Sequence, residues 1–292
     1  MPDPKQFTFA FAPTVAGGRF NSAAHVEPFR RYLESALGLP VQTVMPSSYN
    51  ETLAALQDNR VDAAMVGDFA SRQGEVRGGV EPLVSEVMAD SQVRTYRSAM
   101  ATRIDTGIRS LAMLRSKTLG LVDGQSTSGY LVPRAMLREA GLDPDRDLTI
   151  RLFGSHREVI EAVLGGDVEA GAMHEGWLTP KTLDRGPDYA RLRVLARSRP
   201  IPSGPLVVRS TLDPAIRDRL SDAMLRIHEA DPEAAKVMLW HGHRFTVANR
   251  RSTPTLKSIA SLAGVSYATV SRVVNGSGYV APATATRVRA II

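Results

Sequence analysis

Short apolar runs alternate with amphipathic stretches from Phe7 to Met238, and this alternation restricts the fold more than any other feature of the chain. A run of four to six apolar residues suits a buried strand, whereas apolar residues three and four apart suit a helix with one buried face. Phe7–Ala12 is predicted as a first strand. Ala24–Leu37 places Val26, Phe29, Leu33 and Leu37 at helical spacing, and Gly38 and Pro40 stop it. Val41–Met45 follows as a strand, Tyr49–Asp58 as a helix and Val61–Val66 as a strand ending in Gly67 and Asp68. That order calls for a mostly parallel sheet covered by helices. Pro82–Met88 and Tyr96–Thr102 read as further strands.

A second unit of the same kind comes next. Thr118–Val122, Leu148–Phe153, Val168–Met173 and Leu192–Arg197 are strand-like, with helices at Gly129–Ala140 and Arg157–Leu164. Pro205–Arg209 resumes a strand. Asp213-Pro214 and Asp231-Pro232 each open a helix, with Asp as cap and Pro just inside. Two similar α/β units imply two lobes, with Tyr96–Thr102 and Leu192–Arg197 near the crossings between them. The boundaries expected are 1–248 for the two-lobed module, 249–254 for a linker and 255–292 for a small all-α module. Within the first, lobe 1 takes about 1–100 plus 203–248 and lobe 2 about 101–202. The run His241–Thr253 is polar and basic and reads as connecting chain.

Charge separates the small module from the rest. The chain has 36 Lys plus Arg against 30 Asp plus Glu. Six of the basic residues (Arg250, Arg251, Lys257, Arg272, Arg287, Arg289) and none of the acidic ones lie after Ala248, so the whole excess of +6 sits there. A basic terminal module suits a polyanion such as nucleic acid. Hydrophobic residues at 43% are enough for sizeable cores. The absence of cysteine excludes disulfides, thiolate metal sites and a cysteine nucleophile.

In the small module, Leu256–Ala263 reads as a short helix, Gly264-Val265 as a turn, Ser266 as the cap of a helix Tyr267–Val274, and Pro282 as the start of a third helix. This is a helix-turn-helix pattern, whose second helix enters the major groove. Tyr267, Ala268, Ser271 and Arg272 would face base edges, with Arg272 able to fork onto a guanine. Ser258, Thr269, Asn275 and Arg287 are phosphate-side candidates. The stretch Thr255–Gly276, continued by Val280, Pro282, Thr284, Arg287-Val288 and Ile291, closely resembles the DNA-binding headpiece of the lactose and galactose repressor family. That family carries the headpiece at the N-terminus and follows it with a hinge helix. Here it is C-terminal, and no hinge helix follows in this sequence, so a dimer contact is expected elsewhere.

In the two-lobed module the most informative loop is Asp123–Pro133, between a strand and a helix. Ser126, Thr127 and Ser128 bring three hydroxyls to a helix start whose N–H groups lack partners, and Gly129 permits close backbone approach. On physics alone this is a tetrahedral oxyanion site or an over-capped helix. The stretch Ser126–Pro133 resembles the oxyanion-cradling motif of the solute-binding proteins of phosphate, phosphite and phosphonate ABC transporters. Phe9–Ala12 with Pro13-Thr14, Tyr49, Val61-Asp62 with Gly67-Asp68, and Arg199–Val208 match as well. The resemblance implies a type 2 periplasmic-binding-protein-like fold, α/β in both lobes, closing on its ligand without catalysis. It also implies that Ser126, Thr127, Ser128 and Tyr49 hold the anion. His156 still matches in the turn Gly154–Glu158, where Arg157 replaces the acid that would hold a substrate amine. The loop His174–Trp177 is the other expected wall: Glu175 would take an amine or hydroxyl and Trp177 would cover an apolar group, or they are a solvated acid and a buried anchor. Asp68 would accept the hydrogen of a protonated oxyanion or serve as a cap.

No enzyme motif emerges. Gly-x-Ser-x-Gly is absent, the Gly-rich loop Pro13–Asn21 lacks the nucleotide-binding endings, and His241 and His243 have no third metal ligand near in sequence. No cofactor and no metal is expected. The combined reading is a non-enzymatic, ligand-responsive DNA-binding regulator sensing a phosphonate, phosphite, phosphate or related oxyanion. Its expected partners are that anion, double-stranded DNA and a second copy. No leader-like segment opens the sequence, so a cytoplasmic location is expected. The alternative is the solute receptor of an ABC transporter, working with its membrane subunits, with an inactive headpiece.

Overall fold

A computed structural model describes residues 6–11, 23–87, 95–178, 187–239, 243–248, 264–275 and 278–291. The chain builds lobe 1 with β1 (Phe7–Phe11), α1 (Ala23–Leu37), β2 (Val41–Val44), α2 (Tyr49–Gln57), β3 (Ala63–Met65), α3 (Asp68–Arg77) and β4 (Val80–Val87). It crosses through β5 (Thr95–Tyr96) into β6 (Ser98–Arg103), β7 (Thr118–Leu121), α4 (Val132–Glu139), β8 (Thr149–Leu152), α5 (His156–Gly165), β9 (Ala170–His174) and β10 (Leu192–Arg197). It returns through β11 (Ile201–Pro202) to β12 (Leu206–Arg209), α6 (Pro214–Ala230), α7 (Pro232–Met238) and β13 (Arg244–Val247). The helices α8 (Tyr267–Asn275) and α9 (Pro282–Ile291) follow.

Each lobe has its own sheet, ordered β13-β4-β12-β3-β1-β2 in lobe 1 and β10-β6-β9-β7-β8 in lobe 2. Both are more mixed than the strand–helix alternation predicts. The pairs β1–β2, β1–β3, β7–β8 and β7–β9 are parallel. The returning strand β12 inserts antiparallel between β3 and β4, and β6 lies antiparallel between β9 and β10. A strand that re-enters from the other lobe has no helix before it to reverse its direction, so it runs against its neighbours.

Three expectations change. The predicted strand Tyr96–Thr102 breaks at Arg97: β5 pairs with β11 in the two-stranded crossing, while β6 belongs wholly to lobe 2. The second crossing is therefore Ile201–Pro202, and Leu192–Arg197 is an edge strand of lobe 2. The polar run after His241 contains β13, which pairs with β4 and buries Phe245. Helix α3 was not legible, because Asp68–Arg77 is polar and has no apolar stripe.

Apolar burial holds each lobe. In lobe 1, Phe9, Phe11 and Phe29 meet at centroid distances of 4.9 to 5.8 Å, sealed by Leu206, Val208 and Met224. Asp62 ties three strands at the middle of that sheet. Its carboxylate, 3% exposed, accepts the Thr8 N–H at 2.7 Å and the Arg209 Nε–H at 2.8 Å. Deleting one partner of such a pair strands a buried charge, which costs about 3–5 kcal/mol. Asp62→Ala is expected to lose about that much in urea unfolding, with ligand affinity at native conditions little changed.

Candidate functional site

The ligand loop gets its shape from a π-turn at Thr127–Leu131. The Leu131 N–H donates to the Ser126 carbonyl at 3.0 Å, and the Val132 N–H to the Thr127 carbonyl. These i to i+5 bonds leave the first N–H donors facing outward, as at any helix start. Ser126 spends its hydroxyl on the Gly129 N–H at 3.1 Å. The Ser128 carbonyl accepts the Ser98 hydroxyl at 2.6 Å, so the loop is fastened to the strand that leaves the crossing.

Across the cleft, α3 begins after Gly67, which has no side chain to cap it. The cap comes from lobe 2: the Phe69 N–H donates to Thr127 Oγ1 at 3.1 Å. The two helix starts thus face each other, and the lobes are closed over a cavity of about 90 Å³. Pockets for drug-sized ligands run to about 300–1,000 Å³, so this one suits a small ion.

Ser126, Thr127, Ser128, Tyr49 and His156 all line that cavity. His156, the first residue of α5, accepts the His174 N–H on Nδ1 at 3.2 Å. His174 accepts the Gly176 N–H on its own Nδ1 at 2.8 Å and stacks on Tyr96, 4.5 Å between centroids. With Nδ1 accepting, a neutral ring carries its proton on Nε2 and becomes a donor. Burial pushes the His156 pKa down to about 3, so the ring is neutral at pH 7.

The other expected ligand residues lie elsewhere. Asp68 points along α3 and pairs with Arg72 at 3.2 Å, which suits a helix-start acid better than a ligand acceptor. Glu175 lies 4.0 Å from Arg197 on β10. Trp177, 2% exposed, packs among Val159, Ile160 and Met173 as a core anchor. Gly129 does not line the cavity, yet the loop needs it, since a Cβ there would stand 2.3 Å from Val122 Cγ2. Lining residues that sequence reasoning missed include Glu86, Tyr96, Ser203, Gly204 and Met238. Tyr96 and Ser203 stand at the two crossings, and Glu86 shares a buried strand face with Val84 two residues before it. Tyr96 lay in a strand the sequence placed near a crossing, whereas the crossing beside Ser203 was expected at Leu192–Arg197. Among the described residues no group of three metal-ligating side chains occurs, and no helix is long and apolar enough to cross a membrane.

In the C-terminal module Gly264 turns at φ +61° and Ser266 caps α8, its hydroxyl accepting the Thr269 N–H at 3.1 Å. Thr269 Oγ1 lies 2.9 Å from the same hydroxyl, so it serves the cap. Val270 and Val288 are buried between α8 and α9. Tyr267 is 53% exposed, Ala268 and Arg272 are exposed, and Ser271 is half-buried. Ser258 and the side chains of Asn275 and Arg287 lie outside the described residues, as does the predicted first helix.

Two α/β lobes joined by paired crossing strands around a small cavity define the fold class of two-lobed solute-binding proteins. Residues 11–253 match the family described as "ABC transporter, phosphonate, periplasmic substrate-binding protein", and the chain belongs to it. Residues 255–292 match "Bacterial regulatory proteins, lacI family". The phosphate-import protein PhnD of Mycolicibacterium smegmatis is 26% identical over 227 residues, 74% of this chain and 70% of that protein. The binding component of an ABC phosphonate transporter from Pseudomonas aeruginosa has the same fold: TM-score 0.76, 23% identity, covering 99% of this chain and 95% of that one. So does PhnD1 of Prochlorococcus marinus in complex with methylphosphonate: TM-score 0.74, 16% identity, covering 89% and 98%. These relatives are solute-binding proteins.

Gly129→Ala should abolish ligand binding in calorimetry, because the loop has to shift to admit the methyl group; overpacking of this kind also costs about 1–3 kcal/mol of stability. Burial of neutral His156 adds a pH dependence. The unfolded imidazole takes up a proton near pH 6.5 and the folded one does not, so this contribution is complete above 6.5 and lost as pH falls toward 3. Between pH 6 and 4, His156→Gln should flatten the stability profile by close to one proton, about 1.4 kcal/mol per pH unit.

Proposed function

We propose that the chain is a ligand-responsive DNA-binding regulator. The two-lobed module takes a small phosphorus oxyanion of the phosphonate, phosphite or phosphate class, and the C-terminal headpiece reads DNA in the cytoplasm. The reading is not catalytic: the lobes bind and close.

The observation that carries this reading is the position of α3. At its start Gly67 lines the ligand cavity and Phe69 bonds the ligand loop, while α8, the base-reading helix of the headpiece, packs against the same α3. Helix α3 is polar, yet none of its ten residues is exposed. Its inner side rests on Leu53 and Val80 near Gly74, and Val76, turned away from that side, is buried too. Closure of the lobes bears on α3 through Thr127, and α3 bears on the headpiece. The exposed Tyr267, Ala268 and Arg272 stay outward in this arrangement, free to meet base edges. Ligand that favours the closed lobes then favours one placement of the headpiece, which is all that linkage requires. One headpiece covers little DNA, so a dimer reading two half-sites is the expected active form.

The second reading, an importer's solute receptor with an inactive headpiece, is favoured by the transport role of the M. smegmatis relative. Selection of genomic DNA fragments at about 0.15 M salt separates the two, because at that ionic strength a basic module no longer holds every sequence. The regulator should enrich one palindromic site, and methylphosphonate should change its affinity. Arg272→Ala should weaken that site tenfold or more, since a bidentate guanine contact is worth about 1–3 kcal/mol. Weak binding without sequence preference, the same in both proteins, would leave the receptor reading standing.

A further inference from the structure

The Ser126–Ser128 loop has one backbone acceptor that its own turn does not serve. In the π-turn the Leu131 N–H reaches the Ser126 carbonyl and the Val132 N–H the Thr127 carbonyl. The next donor in that series, for the Ser128 carbonyl, falls at Pro133, which has no N–H. Ser128 is 3% exposed, so this acceptor needs a donor from the protein. The donor comes from another part of the chain: the hydroxyl of Ser98, 0% exposed, at 2.6 Å. The Ser128 carbonyl and the Gly129 N–H belong to one planar peptide, and that N–H is held by Ser126 Oγ at 3.1 Å. A peptide that turned to find a different donor would therefore also release the Ser126 hydroxyl, which lines the cavity.

Ser98 stands where the crossing breaks its ladder. Strand β10 pairs with β6 as far as Arg197 with Ala99, and β11 pairs with β5 from Ile201 with Tyr96. Arg97 and Ser98 thus oppose three residues, Ser198, Arg199 and Pro200, and the two strands cannot stay in register. Side chains close the gap. The Ser198 N–H donates to the Ser98 carbonyl at 2.9 Å, but the Ser198 carbonyl accepts the Arg97 guanidinium instead of the Ser98 N–H. That N–H donates to the Ser198 hydroxyl at 3.0 Å, which itself donates to the Arg199 carbonyl at 2.6 Å. Ser198 is 6% exposed. The joint between the lobes holds Ser98, and Ser98 holds the loop.

We propose that Ser98 is a positioning residue for anion binding and that Ser198 acts through it. The Ser198 hydroxyl fixes the backbone of Ser98 at the crossing, which aims the Ser98 hydroxyl at the Ser128 carbonyl and keeps the Ser126–Ser128 donors in the geometry that receives the anion. Neither Ser98 nor Ser198 lines the cavity, so affinity is set in part at the crossing, away from the ligand. The inference rests on the oxyanion reading above.

Titration calorimetry with methylphosphonate on the full chain, beside urea unfolding, tests it. Ser98→Ala should bind at least tenfold more weakly than the parent, and Ser98→Thr, which keeps the hydroxyl, within threefold of it. Asp62→Ala is the control for lost stability alone. Ser198→Ala should cost threefold or more in the parent and less than twofold once residue 98 is alanine, because partners in one network are not additive. Equal losses in both backgrounds overturn the link between the two serines. A Ser98→Ala protein that is less stable yet binds within threefold of the parent overturns the positioning role and leaves the oxyanion reading intact. If Ser98→Ala does not fold, Ser198→Ala decides alone: a loss of threefold or more upholds the role, and unchanged affinity overturns it. A parent protein that binds none of methylphosphonate, phosphite and phosphate overturns the oxyanion reading, and the positioning role with it.

Discussion

A helix start leaves N–H donors without partners inside the helix, and the cleft of this protein is made from two such starts facing each other. One belongs to lobe 2 and carries Ser126, Thr127 and Ser128. The other opens α3 in lobe 1 after Gly67, which has no side chain to satisfy it. Thr127 supplies the missing acceptor across the gap. The bond exists only when the lobes are together, so the closed arrangement is written into the local chemistry of both helix starts. Ser126, Thr127 and Ser128 line the cavity at the second of these starts, with the positive end of the helix dipole behind them.

Among the described residues that line the pocket there is no Lys and no Arg. Its imidazoles have their donor side set by backbone N–H groups on Nδ1, and burial keeps His156 neutral. Fixed neutral donors select by geometry and by hydrogen-bond complementarity, because an ill-matched oxygen leaves a buried donor unsatisfied. Tyr96 of the crossing lines the cavity and stands two residues before Ser98, whose hydroxyl holds the Ser126–Ser128 loop, so crossing and loop are tied together.

Local patterns with a local cause were legible in the sequence. The strand Phe7–Phe11, the helix Ala23–Leu37, the Asp-Pro starts of α6 and α7 and the Ser266 cap follow from apolar spacing and from groups within a few residues of each other. So did the cluster Ser126–Ser128 with Gly129, because three hydroxyls at a helix start make a donor-rich site whatever surrounds them. Helix α3 was missed because its residues carry no stripe; it is a helix through what packs around it. The strand β13 was missed because it is four residues long with only Phe245 buried, and its partner β4 lies far back in the chain.

The sequence by itself determined the two-lobed α/β class, the hydroxyl-rich helix start at Ser126–Ser128 and the helix that Ser266 caps, since each rests on local spacing. Tertiary structure alone decided which residues meet. Asp68 and Trp177 look like ligand groups by their place in loops, yet Arg72 and the lobe 2 core claim them first. Glu86, Tyr96 and Ser203 come from β4 and from the two crossings, and line one cavity in the folded chain. The physical reason is the same in both cases. A polar side chain satisfies its hydrogen-bonding need with whatever partner the packing brings within about 3 Å, and that partner is chosen by the fold rather than by the neighbouring residues in the chain.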